Sequence, residues 1–74
     1  SISPDIEIYE LEIIQENIVK LAKQAEQYIL PVYKADPKNA KAVNALYYIY
    51  RMLLEPKKME EFQIKCKELG INLD

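Results

Sequence analysis

Apolar residues recur along the first half of the chain at the spacing of an α-helix. Between residues 4 and 35 the steps are 3 or 4, with one step of 1, which places these side chains on one helix face. Pro31 interrupts the segment and removes one backbone hydrogen bond, and we expect one bent helix rather than two. A break near residues 15–17, where Asn17 could cap a new helix, is the weaker alternative. The face comprises Leu11, Ile14, Ile18, Leu21, Ala22, Ala25, Ile29 and Val32.

Two shorter apolar patterns follow, over residues 37–54 and 56–69. The first is apolar around more than half of its circumference, which is typical of a helix packed between two others. Asp36-Pro37 and Glu55-Pro56 predict the two helix starts, and Gly70 predicts a left-handed residue after the last helix. The second pattern is a single stripe that comprises Met59, Phe62, Cys66 and Leu69.

These patterns predict an all-α fold of three antiparallel helices with a long N-terminal helix. Short connections between helices are typical of antiparallel neighbours, and the 74 residues form a single domain, residues 1–74. Half of the residues are hydrophobic, yet a domain this small has only a thin core. We therefore expect apolar surface that is left for a partner.

Two motifs of fixed spacing lie in the middle of the chain. In the first motif, a Leu lies three residues after an apolar residue and a Tyr lies seven residues after it. In the second motif, an apolar residue lies four residues after an Ala, and an Asp-Pro turn follows. The first motif consists of Val43, Leu46, Tyr47 and Tyr50, and the second of Ala25, Ile29, Asp36 and Pro37.

Residues 24–69 thereby resemble the tetratricopeptide repeat, whose helices carry Trp-x2-Leu-Gly-x2-Tyr and Ala-x3-Phe followed by Pro. Tyr47 stands at the position of the repeat's Gly and Val43 at that of its Trp. These departures favour a divergent terminal repeat attached to a long entry helix. The resemblance implies a helical hairpin that acts as a protein–protein interaction scaffold, with a protein, a peptide or adjacent repeats of a longer chain as the partner.

Charge and length exclude two classes of partner. Ten basic and twelve acidic residues give a net charge of −2, and the largest basic cluster is Lys57-Lys58. Nucleic-acid binding needs a concentrated cationic face, so we expect no nucleic-acid partner. No apolar run approaches ~18 residues, so we expect no membrane span.

The start is not a Met, which suggests a fragment of a longer protein, and the compartment is not indicated.

Residues suited to catalysis are scarce. The chain has no His, and it has no Gly-rich phosphate loop. Cys66, the one cysteine, lies on the third apolar stripe, where we expect no cationic partner to activate it, which favours a buried structural thiol over a nucleophile. Carboxylate pairs such as Glu60-Glu61 fall on faces expected to be solvated. We predict a protein that is not an enzyme and has no cofactor and no metal.

Two sets of residues are candidates for binding a partner. The first is a second stripe on the N-terminal helix, which we interpret as an interface to another copy or to a preceding repeat. The second is a set of polar and aromatic residues that would line a peptide-sized groove of a binding scaffold. If the first set alone makes contacts, the chain is a structural module for homo-oligomeric assembly, with a homodimer as the simplest case. The first set comprises Ile2, Ile6, Tyr9 and Ile13, and the second Tyr33, Asn44, Tyr48 and Arg51.

Overall fold

A computed structural model describes the backbone of residues 4–73 and the side chains of residues 12–73. It contains three helices: α1 is Pro4–Ala35, α2 is Ala40–Met52 and α3 is Pro56–Glu68. Over the described residues there is no strand. Four residues connect α1 to α2 and three connect α2 to α3, and such short connections make consecutive helices antiparallel. The predicted all-α fold of three helices is confirmed.

α1 is a single helix of 32 residues that continues through Pro31. The missing amide of Pro31 leaves the carbonyl of Gln27 without its helical partner. Both residues are exposed, so water can take the place of that amide. The prediction of one helix is confirmed, the alternative break near residues 15–17 is wrong, and the bend stays a prediction.

α2 begins at Ala40, three residues later than the predicted start at residue 37. Asp36 is occupied in a turn, because its carbonyl accepts a hydrogen bond from the Asn39 amide at 3.0 Å. Asn39 is the N-cap instead, and its Oδ1 atom accepts the amide hydrogen bond of Ala42 at 3.1 Å. Pro37 therefore lies in the turn between the helices. Proline is as suitable in a turn as at the first position of a helix.

α2 and α3 end in the same hydrogen-bond pattern, a Schellman motif. After α3, Gly70 has a φ of 76° and the Ile71 amide donates to the Cys66 carbonyl at 2.8 Å, as the sequence predicts. After α2, Leu54 takes the left-handed position with a φ of 55°, and the Glu55 amide donates to the Tyr50 carbonyl at 3.0 Å. A leucine thus occupies a position that usually belongs to glycine.

The core is built around α2, which packs against both other helices. Tyr50 and Phe62 pack with their ring centroids 5.5 Å apart, and Tyr33 of α1 meets the edge of Phe62 at 5.0 Å. The expectation that α2 lies between two helices is confirmed. The buried cluster comprises Ala22, Val43, Leu46, Tyr47, Ile49, Tyr50, Phe62 and Cys66.

The predicted apolar face of α1 is only partly buried. Ala22 is buried, and Ala25 and Ile29 pack against the core. The N-terminal members extend beyond α2 and α3, which have 13 residues each and cannot flank the whole of a 32-residue helix. Leu21 and Val32 are exposed because they lie on a different side of α1 from the buried Ala22. Leu11 has no described side chain, and the exposed members are Ile14, Ile18, Leu21 and Val32.

Candidate functional site

The main candidate site is an apolar groove between α1 and α2. Its volume is about 560 Å³. Three of the residues along it are alanines, and their short side chains leave the space between the two helices unfilled. We call this surface the α1/α2 groove, and its lining comprises Ile18, Leu21, Ala22, Ala25, Ile29, Ala45, Tyr48, Ile49 and Met52.

The α1/α2 groove continues past the C-terminal end of α2. There Ile18, Tyr48 and Met52 border a second cavity, of about 370 Å³, together with Arg51 and Leu54. Leu54 is 75% exposed, so its side chain stands free at the end of the groove. The apolar surface therefore extends from the middle of α2 past its C-terminal end.

Tyr48 is held in place at the centre of the groove by its neighbour on α2. Its ring meets the edge of the Tyr47 ring, with centroids 5.1 Å apart. Tyr47 is buried while Tyr48 is exposed, so the buried Tyr47 ring limits the movement of the exposed Tyr48 ring. An aromatic ring that is ordered before binding loses little conformational freedom when a partner covers it.

The charged residues beside the groove on α2 are basic. Lys41 lies four residues before Ala45 and therefore on the same helix face, and Arg51 borders the cavity at the other end. Both side chains are exposed. Among the described residues that line the α1/α2 groove, none is a carboxylate. The rim on α2 thus favours an acidic partner.

Two of the predicted groove residues lie at the groove, and two lie elsewhere. Tyr48 and Arg51 border it together. Tyr33 instead packs on Phe62, with the Lys65 ammonium 6.0 Å from its ring centroid, and its role in binding a partner stays a prediction. Hydrogen bonding to the Tyr33 hydroxyl, followed by its electrostatic interaction, raises the pKa of Lys65 above its usual value.

Asn44 is partly buried and does not line the groove, and its role in binding a partner likewise stays a prediction. Its Oδ1 atom is buried without a hydrogen-bond partner among the described residues.

The predicted stripe near the start of α1 is described only in part. Ile13 is an exposed apolar residue on α1 and does not border the groove. Ile6 and Tyr9 belong to α1, but their side chains lie outside the described residues, as does Ile2 altogether. The interface predicted for these four residues stays a prediction.

Several residues of the groove were missed by reasoning from the sequence. The sequence pattern places Leu21 on the apolar face of α1 and gives Met52 no role, yet both are exposed and line the groove. The pattern ends the second helix at Leu54, whose left-handed backbone has no sequence signal beyond the Pro two positions later. The helix period identifies apolar positions but not the helix that covers each of them.

The buried ionisable groups do not form a reactive site. Burial raises the pKa of the Cys66 thiol, which makes the nucleophilic thiolate rarer. Burial, reinforced by the Glu26 carboxylate, raises the pKa of Tyr50 well above its usual value. Within residues 12–73, no three His, Cys, Asp or Glu side chains are placed to hold a metal ion.

Comparison with known proteins finds no matching family model, no matching curated protein and no matching solved structure. Of the helices that the structure describes, none has the length together with the apolar character that crossing a membrane requires.

Proposed function

We propose that this chain is a non-catalytic protein–protein interaction module that binds an acidic amphipathic helix in the α1/α2 groove. The observation that carries the proposal is the groove itself, about 560 Å³ bordered by nine residues, of which only Tyr48 has a polar side-chain atom. Exposed apolar surface of this extent is typical of an interaction site.

A helix is the partner that fits best, because the groove runs between two helices and offers no free backbone edge. Recognition of an apolar helix face by an apolar groove is a recurrent mode of peptide binding. Lys41 and Arg51 favour carboxylates on the polar side of that helix.

The resemblance to the tetratricopeptide repeat is consistent with this function. The residues at its first spacing motif, Val43, Leu46, Tyr47 and Tyr50, are all buried and hold α2 between its neighbours. On this proposal the chain is a scaffold of tetratricopeptide-repeat type. The alternative function is a structural module for homo-oligomeric assembly, which is favoured by the exposed apolar residues along α1.

The direct test is fluorescence anisotropy with a labelled synthetic helix of about 20 residues that has Leu on one face and Glu and Ala elsewhere. The chain is kept dilute, so that association between its own copies does not compete. We expect Met52→Glu to weaken binding about tenfold or more, because burial of a methionine contributes about 1.5–3 kcal/mol and a buried carboxylate adds a cost.

Ile64→Glu is the matched control. Ile64 is a similarly exposed apolar residue on α3 that does not line the groove. We expect this variant to bind the synthetic helix as the unaltered chain does. Equal affinities of the M52E variant and the unaltered chain would contradict the proposal.

A further inference from the structure

α1 carries a regular apolar stripe that lies on a different side of the helix from its buried residues. The steps along it alternate strictly between 3 and 4 over 22 residues, which is the 3.5-residue period of a coiled-coil seam. We call this stripe the α1 seam. It comprises Leu11, Ile14, Ile18, Leu21, Ala25, Tyr28 and Val32.

The α1 seam is largely uncovered within the chain. Leu21 is 64% exposed and Tyr28 is 79% exposed, and Ile14, Ile18 and Val32 are exposed as well. Of its members with described side chains, only Ala25 packs against the core. The buried side of α1 is a different one, centred on Ala22. A regular apolar seam that does not serve the chain's own core is suited to another helix.

The charges of the chain are divided sharply along its length. Residues 1–19 contain five acidic residues and no basic one, whereas residues 20–74 contain all ten basic residues and seven acidic ones. The N-terminal half of α1 is therefore an acidic helix that bears apolar seam residues. That is the chemistry of the partner that the α1/α2 groove favours.

We propose that the occupant of the α1/α2 groove is α1 of a second copy of this chain, docked antiparallel along the α1 seam. The proposal rests on the proposed function and names its partner. In the register that pairs seam positions, Ile18 lies against the partner's Leu21 and Ile14 against the partner's Ala25.

Charge selects the antiparallel arrangement. In this register the acidic residues 5–16 of one copy run beside residues 23–34 of the partner copy, which include two lysines and one glutamate. A parallel pair would instead place five carboxylates beside the same five carboxylates, which repel. Lys41, at the start of α2, adds a third cation near this part of α1.

The lengths of the helices support the same arrangement. α1 has 32 residues and α2 has 13, so they span about 48 Å and about 20 Å. Because Ile18 lies beside Met52 at the end of α2, most of the N-terminal half of α1 extends past α2. In the antiparallel pair, that half of each α1 is flanked by the α1 and α2 of the other copy, and the groove of each copy is filled at the same time.

Sedimentation equilibrium over a range of concentrations tests whether the pair forms. We expect the mass to rise from that of one chain to that of two, and Leu21→Glu to shift the midpoint to at least tenfold higher concentration. The matched Ile64→Glu variant should behave as the unaltered chain does. A chain that stays monomeric up to millimolar concentration, or an L21E variant that pairs like the unaltered chain, would overturn the proposal.

Disulfide trapping tests the direction, in a Cys66→Ala background that removes the native thiol. In the antiparallel pair the two residues 14 are about 16 Å apart along the axis, too far for a disulfide. We expect the I14C variant alone to give little cross-linked dimer and an equal mixture of I14C and A25C variants to give much more. Efficient cross-linking of I14C alone would overturn the antiparallel register.

The two proposals fail in different ways. If the chain is monomeric but binds the synthetic helix with the sensitivity to Met52→Glu given above, the groove function stands and the self-pairing is wrong. If the chain neither pairs nor binds that helix, both are wrong. Circular dichroism of each variant verifies that it keeps the helical content of the unaltered chain.

Discussion

At the scale of single residues, Leu54 combines an unfavourable backbone with an exposed apolar side chain. A left-handed conformation costs a non-glycine residue about 1–2 kcal/mol, and glycine would avoid most of that cost. The conformation is held by the Schellman hydrogen bond from the Glu55 amide to the Tyr50 carbonyl. Strain of this kind tends to persist where a side chain serves a function, and here the leucine borders the end of the α1/α2 groove.

Leu54→Gly should separate these two effects. We expect the free energy of unfolding to rise by about 1 kcal/mol, because the strain is relieved. We expect affinity for the synthetic helix to fall, because an apolar contact is removed. Urea denaturation and anisotropy measure the two quantities.

Leu54→Ala is the control for this prediction, because it removes the side chain and keeps the left-handed residue non-glycine. It should lower affinity without the gain in stability. A glycine variant that is no more stable than the alanine variant would mean that Leu54 is not strained.

Tyr50 should make the stability of the fold sensitive to high pH. Its pKa in the folded chain is raised, chiefly by burial, while in the unfolded chain it has its usual value near 10. Above about pH 10 the unfolded chain loses this proton and the folded chain keeps it, so the free energy of unfolding falls as pH rises.

Tyr50→Phe removes this contribution while the other five tyrosines remain. We therefore expect the free energy of unfolding of the variant to fall less steeply between pH 9 and about pH 11 than that of the unaltered chain. Denaturation at a series of pH values measures both slopes, and identical slopes would be inconsistent with a buried Tyr50.

The sequence predicts the environment of a candidate site residue only where the helix face alone determines whether that residue is exposed. Tyr48 falls opposite the buried face of α2, and its exposure follows from helical spacing. Tyr33 also lies at the edge of an apolar face, but α3 supplies Phe62 to cover it. The packing of the helices decides which ring of another helix contacts a given position. The spacing of residues within one helix does not predict that contact.

At the scale of helices, the sequence predicts where they lie more reliably than where each begins or which side it buries. Asp36 and Asn39 are both suitable N-caps, and the turn hydrogen bonds decide for Asn39. Helical period places eight apolar residues on one face of α1, yet of those with described side chains only Ala22 is buried. The lengths of α2 and α3, and the side of α1 on which they pack, decide which of these residues are buried.

The exposed half of α1 leads to a prediction for hydrogen exchange. In dilute solution, amides of residues 12–18 should exchange faster than those of residues 22–33, because a helix without neighbours gains little from packing. At concentrations at which two copies pair, exchange at residues 12–18 should slow markedly. Amides in the centre of α2, such as that of Leu46, are the internal control, and protection of residues 12–18 that is independent of concentration would contradict the prediction.

At the scale of the whole molecule, a small core and a surplus of apolar residues produce a surface that a partner can cover. The sequence predicted this surplus from composition and length. It did not predict the location, because the α1/α2 groove exists only once Ala22 and Ala45 come to lie on facing sides of two helices. We propose that this groove binds an amphipathic helix.

The most direct test of this binding is a titration of the ¹⁵N-labelled chain with the synthetic helix, followed residue by residue in NMR spectra. We predict that the amide signals that shift are those along the groove, at Leu21, Ala45, Tyr48 and Met52, while that of Ile64 on α3 stays in place. Shifts centred on α3, or no shifts when the synthetic helix is in large excess, would contradict it.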